Sequence, residues 1–320
     1  MNRQLPGPIA TIRTPHDMVA AVPVLLGFHP HDSVVVVAIK GAQVHFTARW
    51  DIAALEQPGG PRWLATRLRS DHRGRQVEGL DFFLAGYGEP GRARTALEAM
   101  VDQLGAAVVD AVVVDDDRWW FLEQSADSQA HGLSQSASGR PEANNQWIQS
   151  AVVLSSRDEL AASIAAPSDQ REEDMVQAWM EAADLIPGDP CQGARLVLTA
   201  MSDWRQGRQV SNVQYLAAGV AMAAGEVRDE IWRAVRRSEA ADLLGFWQSV
   251  LTRTPHLVRL APLAVTAMFA WLAGKGALMN ICLEEAVAID PGHSLVAMLV
   301  QISQTGLPPS CWEELTMNTA

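Results

Sequence analysis

Three cysteines in 320 residues, Cys191, Cys282 and Cys311, are too few and too far apart for a disulfide framework or a thiolate metal site. Reduced thiols in a cytoplasm are the expectation. Lysine is almost missing: of 25 basic residues only Lys40 and Lys275 are lysine, a bias typical of GC-rich coding sequences that carries no functional message. No apolar run reaches the ~18 residues that a membrane-spanning helix needs. The longest, Leu260 to Ala273, is bounded by Arg259 and Gly274 and predicts a buried core helix. Met1 to Thr11 holds two prolines and a glycine, with no apolar stretch of the secretory kind. Also missing are Gly-x-Ser-x-Gly, a phosphate loop ending in Gly-Lys-Ser/Thr, a dinucleotide glycine fingerprint and His-Glu-x-x-His. No motif of these kinds therefore points to an enzyme class, cofactor or metal. A formal net charge of −12 opposes phosphate backbones, which excludes general nucleic-acid binding.

What is present describes a globular chain. The apolar fraction is 48% and the charged fraction 19%, and the length allows two domains. Eleven scattered tryptophans are expected to be core anchors. Thr14 can cap a first helix, with Pro15 at its first position and Asp17 near its positive end. Pro23 is expected to interrupt that helix and Gly27 to stop it. Val34 to Ile39 is too apolar for a one-sided strand and predicts a central, buried one. Lys40-Gly41-Ala42 forms a tight turn, and Val44, Phe46, Ala48 and Trp50 alternate with polar neighbours as an antiparallel second strand. Arg62 to Ser70 is expected to be helical, Leu80 to Ala85 a strand, Arg92 to Leu104 an amphipathic helix and Ala106 to Val114 a strand. Asp115-Asp116-Asp117 turns the chain into Arg118 to Leu122. The expected fold is a mixed α/β sheet with flanking helices over residues 1–154.

Residues 124–145 are rich in Ser, Gln, Ala, Gly and Asn and predict a mobile loop or linker. Trp147 to Leu154 is the expected last strand. From there to residue 320 helical periodicity dominates, with helices near 156–165, 169–184, 191–204, 210–224, 227–237, 240–253, 261–273, 276–289 and 292–304. Short breaks between them imply antiparallel helical hairpins, an all-α bundle domain. Gly276 to Pro291 resembles the second helix of a tetratricopeptide repeat, with Asp290 expected to cap the next helix and Pro291 to begin it. One such unit does not make a repeat array.

Several segments together resemble a single family. They are Thr14 to Val36, Gly86-Tyr87-Gly88, Asp117-Arg118-Trp119-Trp120, Arg228 to Trp232, Ala270 to Leu278, Asp290 to Ser294 and Gly306 to Ser310. The family is the actinobacterial domain-of-unknown-function family 4192. The resemblance spans most of the chain and implies a cytoplasmic protein of unassigned activity. Many members carry a cysteine-containing segment after the Trp-Trp hairpin. Residues 123–140 here hold none, so any metal or redox role of those cysteines is not carried by this chain at that place.

Candidate chemistry lies in three loops. His29, His31, Asp32 and Ser33 bring two imidazoles, a carboxylate and a hydroxyl to the start of the buried strand, the raw material of a metal or acid/base site. The same loop is also readable as a helix stop and strand lead-in whose polar groups bond backbone. Arg67, Arg69, Arg73 and Arg75, with His72 and Gly74, offer guanidinium forks to an anionic ligand, or else a solvated helix end. Tyr87 and Gly88 lie between a strand and a helix, where amides can face an anion. The three aspartates at 115–117 suit a cation, but a hairpin turn explains them better.

Two functions follow as expectations. The first is an interaction, scaffold or regulatory protein that binds a protein partner through its helical half. The second is a small-molecule domain or enzyme that holds an anion or metal between the three loops. Because His31 precedes a strand and Gly86 follows one, only an antiparallel pairing of those strands brings them together.

Overall fold

The computed structural model describes residues 12, 14–70, 75–116, 118–123, 135–136, 152–166 and 172–312. The chain divides into two units, residues 1–157 and 158–320.

In the first unit α1 (Pro15–Leu26) begins with a reciprocal capping box. The Asp17 amide donates to Thr14 Oγ1 at 3.1 Å, and the Thr14 amide donates to Asp17 Oδ2 at 3.2 Å. Pro23 does not break the helix as expected. It lacks only an N–H, and the turn closes one step later, where the Gly27 amide donates to the Pro23 carbonyl at 2.7 Å. Gly27 ends α1 at φ +88°, a conformation glycine adopts without strain.

The sheet contains β1 (Ser33–Lys40), β2 (Gln43–Asp51), β3 (Leu80–Tyr87), β4 (Val108–Asp115), β5 (Arg118–Phe121) and a two-residue β6 (Gln135–Ser136). Their order is β2-β1-β3-β4-β5-β6. All neighbours are antiparallel except β3 and β4, which are parallel and joined by α4 (Pro90–Leu104). This is the mixed sheet with flanking helices that the hydrophobic pattern predicts. β1 is central, with Ser33 to Ala38 buried without interruption.

Between β2 and β3 lie a short α2 (Ile52–Leu55), which the pattern did not reveal, and α3 (Gly60–Leu68). Val34, Val36, Ala38, Phe82 and Leu84 share one core with Leu64 and Leu68 of α3 and Leu97 and Met100 of α4. Gly86 belongs to this face, where an added Cβ would meet Leu97 Cδ1 at 3.0 Å. The alternate residues Val35, Val37, Phe83 and Ala85 are also buried, on the opposite face. Trp119 points to that second face, where its ring lies 6.3 Å from that of His16 in α1. Of the expected loop at 124–145, only Gln135 and Ser136 are among the described residues, and they form β6. Of the expected strand at 147–154, the described part makes a single parallel bridge, Leu154 with Phe28.

The second unit is helical. Its helices are α5 (Arg157–Ala162), which starts at the unit boundary, then α6 (Glu172–Asp184), α7 (Pro190–Arg205), α8 (Asn212–Ala221) and α9 (Gly225–Ala234), followed by α10 (Ala240–Leu251), α11 (Leu260–Leu272), α12 (Gly276–Ile289) and α13 (Ser294–Thr305). Every helix expected from periodicity is present. α11 is buried from Pro262 to Leu272 and packs against α10, α12 and α13. Asp290 does not cap α13. Its Oδ1 accepts from the Gly292 amide at 2.8 Å, a local turn that delays the helix start, and His293 takes the cap position. Arg259 is fully buried. It donates to Glu285 (2.5 and 3.2 Å), the Leu251 carbonyl (2.9 Å) and the Ile164 carbonyl (2.7 Å), tying the end of α10 and the segment after α5 to α12.

Candidate functional site

β1 and β3 run antiparallel with Ser33 opposite Tyr87 and Val34 opposite Gly86. The start of β1 and the end of β3 therefore share one end of the sheet. β2 ends there too, with Asp51 opposite Ser33. β4, parallel to β3, arrives with Val114 beside Tyr87 and continues to Asp115. Open sheets bind ligands in such a place, beyond the carboxyl ends of parallel strands.

The two loops at this end are interlocked. Asp32 has φ +43° and Gly88 φ +119°. A Cβ on Gly88 would stand 2.5 Å from Asp32 Oδ1, so only glycine fits. The Asp32 carbonyl accepts from the Ile52 amide at 2.9 Å, and the Gly88 amide donates to the Val114 carbonyl at 3.4 Å. Arg49, which the sequence reading did not single out, crosses to this loop. Its Nη2 donates to the His31 carbonyl at 3.2 Å and to Asp51 Oδ1 at 2.6 Å. The His31 imidazole is largely exposed, with Nε2 3.6 Å from Asp32 Oδ2. His29 is exposed as well, and its amide donates to the Leu154 carbonyl at 2.9 Å.

The N-terminus of α4 is not open to an outside anion. Glu89 accepts from the Gly91 amide at 2.9 Å and the Arg92 amide at 2.8 Å, occupying the place an anion would take. These bonds hold its carboxyl below the ordinary carboxylate range. Arg92 is engaged with Glu56 at 2.6 and 2.9 Å, which lowers the Glu56 carboxyl likewise.

The arginine loop lies at the other end of the sheet. It precedes Leu80, the first residue of β3, whereas Tyr87 is the last, about 24 Å away along the strand. Arg69 donates to the carbonyls of Gln103 (3.3 Å) and Leu104 at the C-terminal end of α4, so it caps a helix. Arg67 is half-buried and Arg75 exposed beside a Ser70–Gln76 bridge. Arg73 lies outside the described residues. Of the three candidate loops, the structure unites His31, Asp32 and Ser33 with Tyr87 and Gly88, and separates the arginines from them.

The most informative feature of this end is a set of orphaned polar atoms. Ser33 Oγ, Thr47 Oγ1, Arg49 Nε and Tyr87 OH are buried and have no hydrogen-bond partner among the described residues. Residues directly opposite across strands point to the same face. Ser33 faces Tyr87 and Asp51, Val35 faces Arg49, and Val37 faces Thr47. All four orphans therefore lie on the sheet face away from α3 and α4. Burial pushes the Tyr87 phenol well above its ordinary value, so it stays protonated and remains a donor. Alternation along β2 was the available signal for Thr47 and Arg49, but polar residues in an alternating strand read as solvent-facing. Among the described residues no group of three or more His, Cys, Asp or Glu is placed to hold a metal, and no helix is long and apolar enough to cross a membrane.

The sequence profile of a family described as Domain of unknown function (DUF4192) matches residues 15–310. No curated protein and no solved structure matches the chain.

Proposed function

The chain belongs to the DUF4192 family, and from that premise we propose that its first unit is a binding module for a small polar molecule, seated on the β2-β1-β3 face at the end formed by Ser33, Arg49 and Tyr87. One observation carries this reading: four buried polar atoms without partners, gathered on one face of one sheet. Leaving a buried donor unbonded costs about 1–3 kcal/mol each, and a bound molecule with matching acceptors would remove that cost. Cys191 and Cys282 are free thiols, in keeping with a reducing, cytoplasmic setting.

The test is native mass spectrometry of the full chain, purified without chelators from its native host. The reading expects a bound small mass in the wild type that is lost in Ser33→Ala/Tyr87→Phe. A clean apo mass in both, with no small molecule shifting the melting temperature, would reject it.

A second reading, partner binding by the helical unit, has its own support. Leu257 (83% exposed), Val258 and Ile289 are apolar and open. The Arg259–Glu285 pair holds their two segments side by side, because Leu257 and Val258 precede Arg259 and Ile289 lies one turn beyond Glu285. The occupant proposed is an apolar helix of another protein. Co-purification lost on Leu257→Ser/Ile289→Ser would support it, and a partner retained by that variant would count against it.

A further inference from the structure

Resting on the binding reading above, we infer that the occupant of the Ser33–Arg49–Tyr87 face is uncharged and hydroxyl-rich, of the sugar or polyol class. The orphaned groups define what the ligand must offer. Arg49 Nε can only donate, and the Tyr87 phenol, kept protonated by burial, serves as a donor at any ordinary pH. The hydroxyls of Ser33 and Thr47 can donate or accept. A ligand that meets all four presents several oxygen acceptors with hydroxyl hydrogens among them.

The charges already present exclude the ionic alternatives. The Arg49 guanidinium is paired with Asp51 at 2.6 Å, and Arg92 with Glu56 at 2.6 Å. The α4 amides are taken by Glu89. The exposed Arg118 at this end stands opposite Asp115, on the sheet face of Trp120 and α4 and away from the orphans. The exposed carboxylates of Asp32, Asp115 and Asp116 at the same end would repel an incoming anion. A cationic ligand seated on the orphans would instead meet the Arg49 guanidinium. Burying an unpaired charge is costly, whereas neutral oxygens meeting orphaned donors recover hydrogen bonds.

Geometry sets the size. Ser33 and Tyr87 are direct cross-strand neighbours, and Arg49 lies one residue pair further along and one strand across from Ser33. Ser33 thus lies within about 8 Å of both Tyr87 and Arg49 at Cβ, and Tyr87 and Arg49, two strands apart, stand about 12 Å from each other, the span of one or two sugar rings. Thr47, one pair beyond Arg49, marks the far limit.

The experiment uses one carbon skeleton in four charge states: glucose, glucose 6-phosphate, gluconate and glucosamine. Each is presented to the full-length chain in saturation-transfer NMR and titrated by calorimetry. The expected result is binding of glucose at least about tenfold tighter than of any charged analogue, abolished in Tyr87→Phe and in Ser33→Ala. Both variants remove a single hydroxyl, and melting temperatures no lower than that of the unsubstituted chain will show that they still fold. Preferential binding of glucose 6-phosphate, gluconate or glucosamine that these variants weaken would overturn the neutral assignment and keep the site. Binding of none of the four, or binding that neither variant alters, would overturn the site itself and leave ordered water as its occupant.

Discussion

Ser33 and Tyr87 stand directly opposite each other on β1 and β3, and both hydroxyl oxygens are buried without a hydrogen-bond partner among the described residues. In a closed core that arrangement is a cost. Deleting the Tyr87 hydroxyl as Tyr87→Phe is therefore expected to leave stability unchanged or to raise it by up to about 1 kcal/mol. Phe83→Ala on the same face should cost about 3–5 kcal/mol, because it empties a packed volume. Urea unfolding of the two variants makes the comparison.

Gly88 must remain glycine. Its φ of +119° and the 2.5 Å separation between an added Cβ and Asp32 Oδ1 predict that Gly88→Ala loses about 1–3 kcal/mol. Asp32→Gly in the same chain should restore part of the loss, since it removes the clashing oxygen. A double-mutant cycle in denaturant reads the coupling.

Arg69 is expected to act as a helix cap and not as a ligand contact. Arg69→Ala should cost about 1 kcal/mol and loosen the last turn of α4 near Leu104. Hydrogen exchange of the α4 amides would register the change, and any molecule bound at the Ser33 end should be unaffected.

Glu89 makes the start of α4 sensitive to acid. Its folded carboxyl titrates below the ordinary range because two backbone amides donate to it. A depressed carboxyl contributes stability above its unfolded pKa, and that contribution is lost as pH falls through the folded value. The urea midpoint should thus drop on acidification, more shallowly in Glu89→Gln. Equal slopes for the two proteins would disprove the assignment.

Arg259 and Glu285 form the buried ion pair of the helical unit. Arg259→Met should be destabilising by about 3–5 kcal/mol, because two carbonyls and the Glu285 carboxylate lose their donor. Arg259→Met/Glu285→Leu should recover much of this, since neither charge is then left without its partner. Thermal unfolding of the two variants separates the outcomes.

The legible part of the fold followed from period and capping. Thr14-Pro15-x-Asp17 announced α1, the unbroken Val34 to Ile39 run announced a strand buried on both faces, and helical spacing located every helix of the second unit. What failed were local rules overridden by neighbours. Pro23 was tolerated inside α1, and Asp290 served a turn instead of a cap. Of the candidate site, His31, Asp32, Ser33, Tyr87 and Gly88 were named from the chain because unusual residues cluster at loop–strand junctions. Arg49 was not, because an arginine in an alternating strand looks like a solvated one.

The two kinds of architecture, the two-sided burial of β1 and the helix inventory are written in the chain, because each depends on spacing along a few residues. Which loops meet is a matter of pairing between distant segments. Antiparallel pairing of β1 with β3 brought Ser33 to Tyr87 and left the arginine loop a full strand length away. Strand direction is set by packing and hydrogen bonding between segments about fifty residues apart, and no local pattern encodes it.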